Sequence, residues 1–297
     1  MENNLAEHPV LTETVVSTPL EPAATTSKGK DRTQLMSAFR RAMEACGVRC
    51  ADSVLVLGAS RDDFELLDQM GFTDITVSNV SPYPIPNAKS HLILNAGSID
   101  LPDESFDIVF AHAVLHHCRS PHKALCEMLR VARKQVIFFE PNDSFLMRML
   151  IKARFSFPYE IPAVVDNGFT AGGLEDTQVP NFIYRWNANE LRKTAFSFLA
   201  EREFTAFAYP YWDFYVNEAE LAIRAQTRIG AITKIVGTRN FIRLLQFAQS
   251  ILNLFPLLRA QGNKFVAGIK KQPQLRPWLK LGPEGVVFDK AFVEGSK

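Results

Sequence analysis

Histidine and cysteine are the side chains best suited to proton transfer, nucleophilic attack or metal binding, and most of those in this chain fall in one short stretch. His112, His116, His117 and His122 surround Cys118, with Cys126 a little further on. Zinc patterns pair two ligands at short spacing with a second pair further along. This stretch has no second pair, so no metal is expected from it. An imidazole gains and loses its proton near neutrality, which suits a general base. His112 is the candidate for that role. It falls just past an apolar run, at the strand end where parallel sheets bind ligands. His116 and His117 are expected to pack and bond locally.

A second group of residues suits an anion. Gly58-Ala59-Ser60 follows the run VLVL at residues 54–57, and the pattern after it predicts a helix over residues 61–70 ended by Gly71. A small residue lets backbone approach a ligand, and the free N–H groups of a helix start attract negative charge. Residues 75–78 are the next expected strand. Asn79 stands at its end, where a polar side chain can bond a ribose hydroxyl. Strand, glycine turn, helix, strand and polar residue is the layout of a mononucleotide-binding half, here with one glycine kept.

These residues need a frame, and residues 101–141 supply its centre. Residues 106–110 (FDIVF) read as a buried strand. Ser120-Pro121 is a helix start, with Ser as cap and Pro in the first turn. Ala124, Leu125, Met128, Leu129 and Ala132 repeat at helical spacing. Residues 135–139 (QVIFF) are a second buried strand, ended by Glu140-Pro141. Strand, crossover helix and strand make a right-handed parallel unit.

The stretch LPDESFDIVFAHAVLHH, followed by LCEMLRVARKQVIFFEP, resembles the middle of class I S-adenosylmethionine-dependent methyltransferases of the type 11 group. The departure is the missing Pro-Gly-Gly before the last strand, where Arg133-Lys134 shortens the connection. The resemblance covers residues 54–141 well and the remainder loosely. It implies an α/β Rossmann-like fold with a seven-stranded, mostly parallel sheet, helices on both faces and an insertion after strand five. It implies S-adenosyl-L-methionine as cofactor, bound by Gly58, Ala59, Ser60, Asn79, Asn95, Ala96, Ala111 and His112. The helix start at Ser60 would face the methionine carboxylate. Asn95, after a third strand at residues 91–94, would accept a hydrogen bond from the adenine amine. The family usually has acidic residues where this chain has Asn79 and Asn95. A hydroxyl acceptor needs its proton removed, which is the task for His112; a carbon or sulfur acceptor does not.

Composition excludes several classes. Net charge is +1 over 297 residues, so no global field draws the chain to nucleic acid. No apolar run reaches the length of a membrane span, and the first residues lack the charged-then-apolar pattern of a signal peptide. Four cysteines in a chain this long do not suggest a disulfide framework, so a cytoplasmic setting is expected.

Residues 1–31 are rich in Glu, Thr, Ser, Pro and Ala and are expected to be a disordered tail. An amphipathic helix over residues 32–46 opens the domain, either over the cofactor pocket or as plain core packing. After residue 141 a helix over 145–153 leads into an irregular, aromatic-rich segment, and residues 142–186 are expected to form a substrate-recognition or lid insertion. PNFIYRWNANELRKT at residues 180–194 resembles a segment of bacterial methyltransferases of unassigned substrate. Tyr184, Arg185 and Trp186 either line the acceptor pocket or pin the insertion to the core. Residues 204–208 are the sixth strand, with Tyr209-Pro210-Tyr211-Trp212 as an aromatic loop. Helices follow over 219–228 and 241–254. The last strand, 265–270, is expected to insert antiparallel between strands five and six, closing a methyltransferase domain over residues 32–271, with 272–297 as a tail.

The reading is methyl transfer to a small-molecule or glycan-type acceptor. Two rivals stand beside it: a catalytically inactive scaffold of the same fold, suggested by the reduced glycine turn, and a peripheral membrane protein or lipid-linked-acceptor enzyme acting through the apolar, basic residues 229–259.

Overall fold

A computed structural model describes residues 33–214, 221 and 228–294. Seven strands form one sheet: β1 (Val54–Leu57), β2 (Ile75–Asn79), β3 (Ser90–Ile93), β4 (Phe106–His112), β5 (Ala132–Pro141), β6 (Arg202–Tyr211) and β7 (Lys264–Leu275). Their order is β3-β2-β1-β4-β5-β7-β6. β1 to β5 are parallel, and β7 runs antiparallel between β5 and β6. This is the sheet that the sequence resemblance implied, including the inserted last strand.

The central strands are buried on both faces, which explains their unbroken apolar runs. Leu55 and Leu57 join one apolar cluster with Val109, Leu125, Met128 and Phe138; Val54 and Val56 join another with Phe39, Phe64, Phe110 and Ile137. Helices α3 (Pro121–Val131) and α6 (Ala188–Phe198) cover the first face. Helices α1 (Thr33–Cys46) and α2 (Arg61–Gln69) cover the second. α1 packs across β6 and β7, with Phe39 meeting Phe110 edge-on at 5.2 Å between ring centroids. Its buried side is therefore core packing.

Ser120 Oγ accepts the Lys123 N–H at 3.4 Å and starts α3. At its other end α3 passes into β5 between Val131 and Ala132 with no loop, so the missing Pro-Gly-Gly is a shortened connection. Three expectations need correction. The sixth strand continues through Tyr209, Pro210 and Tyr211, read above as a loop; β6 is an edge strand, where Pro costs no ladder bond. Beyond Leu275 the segment read as a tail carries a hairpin of β8 (Leu279–Gly282) and β9 (Gly285–Phe288). Residues 155–186 contain α5 (Ile161–Asp166) and are held by backbone bonds such as Ile183 N to Pro158 O at 2.9 Å. The expected tail at 1–31 and most of the helix at 219–228 lie outside the described residues.

Candidate active site

The parallel strands end along one edge, where Leu57 sits beside Ser78 and Ala111, and His112 beside Phe139. Gly58 leaves β1 at φ +56°, and a Cβ there would lie 2.6 Å from Val114 Cγ2. Backbone and neighbour both demand glycine. The Ala59 N–H donates to Ser78 O at 3.0 Å, locking the turn to β2.

Ser60 caps α2 reciprocally. Its Oγ accepts the Asp63 N–H at 3.2 Å, while Asp63 Oδ2 accepts the Ser60 N–H at 3.0 Å and its hydroxyl at 2.6 Å. The helix start expected to meet a cofactor carboxylate thus offers fewer donors than an uncapped one. The second oxygen of Asp63 faces the sheet, and His112 Nδ1 lies 2.7 Å from it. Burial alone would push the Asp63 carboxyl up; the His112 charge and the Ser60 hydrogen bonds outweigh it and hold the carboxyl below its ordinary value. An ionised carboxylate only accepts, so Nδ1 carries a hydrogen, and in the neutral ring the lone pair is on Nε2. A base oriented by a buried carboxylate is the general design of activating pairs. Asp63 was missed in the sequence, although Ser60-x-x-Asp63 has the spacing of a capping box.

Asn79 Nδ2 donates to Ala59 O at 2.9 Å, so this side chain braces the glycine turn and keeps Oδ1 as an acceptor. Asn95 Oδ1 accepts the Gly97 N–H at 2.7 Å, which leaves one lone pair for an adenine amine. Ala96 and Ala111 are buried side chains of the core beneath this edge and can offer a ligand only backbone.

Residues 58–139, which carry this turn and these strand ends, match the family described as Methyltransferase domain. That stretch is similar to a methyltransferase domain. No curated protein matches the chain. Among solved structures, it is similar to a SAM-dependent methyltransferase from Archaeoglobus fulgidus at 12% identity and a TM-score of 0.42, covering 81% of this chain and 94% of that one. It is also similar to the 1,6-didemethyltoxoflavin-N1-methyltransferase of Burkholderia thailandensis, at 10% identity and a TM-score of 0.42, covering 82% and 80%. The observed strand order, rather than these likenesses, carries the fold.

The turn after β4 is held by a carboxylate. Glu140, 1% exposed, accepts the Val114 and Leu115 N–H groups at 2.9 and 2.7 Å through Oε1. Its Oε2 lies 2.5 Å from His116 Nδ1. The partners of His116 and His117 are thus not local, contrary to expectation: Glu140 ends β5, and Glu160 and Gly173 belong to the segment beyond it. Burial would lower the His116 proton affinity, but Glu140 and Glu160 outweigh it and raise it to about 9. Burial would raise the Glu160 carboxyl, but His116 and His117 hold it at about 2. Burial and the charge of His116 push His117 down. Neither glutamate was singled out from sequence, and only the Glu-Pro ending of β5 marked one of them.

Trp186 is fully buried against Phe138 and His122, so it is a core residue and not part of a pocket wall. The Trp186 backbone N–H donates to Pro141 O at 2.8 Å and pins the segment to the end of β5. Tyr184 is half-buried, its hydroxyl 2.9 Å from His122 Nε2 and 3.2 Å from Glu190 Oε1. Arg185 donates to the carbonyls of Ile183 and Phe157 at 3.0 and 3.1 Å.

A cleft of about 420 Å³ lies at the opposite edge, lined by Arg49, Asp52, Glu104, Arg133 and Lys134 among others. Its charges pair among themselves, Lys134 with Asp52 at 2.6 Å and Arg202 with Glu104 at 3.1 Å. Asp107 belongs to that edge and holds Arg133 at 2.8 Å.

Proposed function

We propose that the protein is a cytoplasmic S-adenosylmethionine-dependent methyltransferase acting on a small-molecule or glycan-type acceptor. The observation that carries the reading is the family match of residues 58–139, which takes in Gly58, Asn79, Asn95 and His112. These residues fit the cofactor in kind: a turn where a Cβ has no room, a sugar-facing acceptor and an oriented imidazole share one sheet edge. When bound, the cofactor supplies an electrophilic methyl group on sulfur. Gly58 and Ala59 bring backbone close to it, Asn79 Oδ1 accepts from a ribose hydroxyl, and Asn95 and Ala96 border the adenine. His112 Nε2 takes the proton of a hydroxyl acceptor, and Asp63 stabilises the imidazolium that forms. Tyr184 and Arg185 lie on the acceptor side. The domain spans residues 32–271, and residues 142–186 are its acceptor-recognition insertion.

Calorimetric titration with S-adenosylmethionine and S-adenosylhomocysteine tests this. Micromolar binding, abolished in Gly58→Asp, is the expected result. No binding by the folded protein at millimolar ligand would leave the scaffold reading.

One observation favours a lipid-linked acceptor. Residues 228–259 contain Arg228, Lys234, Arg239, Arg243 and Arg259 and no acidic residue. Their helices leave Ile235, Phe247, Leu254 and Leu257 exposed. They depart from β6 at Tyr211 and return at Lys264, on the edge that carries His112. A basic apolar face suits an anionic lipid surface, although no helix among the described residues is long and apolar enough to cross a membrane. Co-sedimentation with anionic vesicles, lost with Phe247→Asp and Leu254→Asp, is the expected result; equal recovery with neutral vesicles argues against it.

A further inference from the structure

His116, His117 and Glu160 bring three acceptor atoms to one point. The two histidines share a single 3-10 turn after β4, and Glu160 precedes α5. His116 Nε2 lies 2.9 Å from Glu160 Oε2, and His117 Nε2 lies 3.3 Å from the same oxygen. The other nitrogen of each ring is already committed. His116 Nδ1 faces Glu140 Oε2 at 2.5 Å, and His117 Nδ1 faces the Gly173 carbonyl at 3.1 Å. A carboxylate and a carbonyl only accept, so each Nδ1 carries a hydrogen, and in the neutral form of each ring Nε2 turns a lone pair toward Glu160. Three acceptors facing one another need a cation between them. A proton on His116 Nε2 answers one contact and leaves the His117 lone pair against the carboxylate.

We propose that His116 Nε2, His117 Nε2 and the Glu160 carboxylate form a site for one divalent transition-metal ion, zinc before others, with a fourth position open to water. Two histidines and a glutamate are a recurrent zinc set that keeps such an opening. Tetrahedral zinc with bonds near 2.0 Å separates its ligands by about 3.3 Å. The two contacts of 2.9 and 3.3 Å are close to that edge, and all three ligand atoms lie within 4.8 Å of one another. Glu140 and Gly173 do what carboxylates and carbonyls do behind metal-bound histidines: they fix the ring and leave the far nitrogen basic. Asn181 Nδ2 donates to Glu160 Oε2 at 3.3 Å and to His116 O at 3.0 Å, steadying the third ligand. His116 is buried, but the His117 and Glu160 side chains are 26% and 30% exposed, which opens a route for the ion.

Spacing concealed this set. Adjacent histidines match no paired pattern, and the third ligand comes from the segment beyond β5. The ion would tie that segment to the turn after β4. The site does not depend on the methyl-transfer reading, since a scaffold could bind the metal equally.

The test uses the full chain, stripped with a chelator, dialysed and titrated with zinc chloride in a calorimeter. One zinc per chain with a micromolar or tighter Kd is expected. His117→Ala and Glu160→Gln should each weaken it by about 100-fold or more. Both are partly exposed positions, and circular dichroism confirms that the variants are folded. Cys50→Ala, at an exposed thiol away from the cluster, should leave Kd unchanged. Failure to reach one zinc per chain, or equal affinity in His117→Ala and Glu160→Gln, overturns the proposal and leaves a proton on His116 as the cation of the cluster.

Discussion

His112 Nδ1 and Asp63 Oδ1 lie 2.7 Å apart, joining the end of β4 to the first turn of α2. One carboxylate therefore caps a helix and orients an imidazole. Both tasks depend on its ionised form. The Asp63 carboxyl is held below its ordinary value in the folded chain. Its contribution to stability is full above about pH 4, the unfolded value, and is lost as pH falls through the lower folded value. Urea unfolding of the wild type and Asp63→Asn should differ at pH 7 and converge as the pH is lowered past 4. A gap that persists or grows in acid would contradict this assignment.

Gly58→Ala should cost roughly 1–3 kcal/mol, because alanine at φ +56° is strained and its Cβ meets Val114. Val114→Ala relieves the contact but not the strain. The double variant should recover part of the loss, a coupling measurable in a denaturant cycle.

Glu140→Ala should destabilise by about 3–5 kcal/mol, since it strands the buried His116 and two backbone N–H groups at once. Fast amide exchange at Val114 and Leu115 should accompany the loss. Unchanged protection there would mean that the turn after β4 is held by something else.

Trp186 separates size from polarity. Its indole nitrogen is buried without a partner among the described residues. Trp186→Phe removes that orphan donor and should cost less than Trp186→Ala, which opens a cavity worth about 3–5 kcal/mol. Thermal unfolding of the two variants reads the difference directly.

The parts of this fold legible in the sequence are those whose information is local. VLVL at residues 54–57 is buried at every position, as a continuous apolar run requires. Gly58 follows from the turn it must make. Pro210 misled the reading because a proline argues against a central strand, and only the sheet order reveals that β6 lies at an edge. The hairpin of residues 279–288 carried its signal in Gly282-Pro283-Glu284-Gly285, which was passed over as tail. Glu140 and Glu160 were invisible for another reason. A glutamate becomes a partner of His116 only when three segments meet, and no spacing rule encodes that meeting.

β7 has a consequence for the chain as it is made. β5 ends at Pro141, yet its partner on one side begins only at Lys264, and β6 reaches the sheet through β7 alone. While the intervening residues emerge from the ribosome, Val136 to Phe139 present a bare strand edge. Such edges recruit other chains and call for chaperones. Translation must run past residue 264 before this molecule can protect itself.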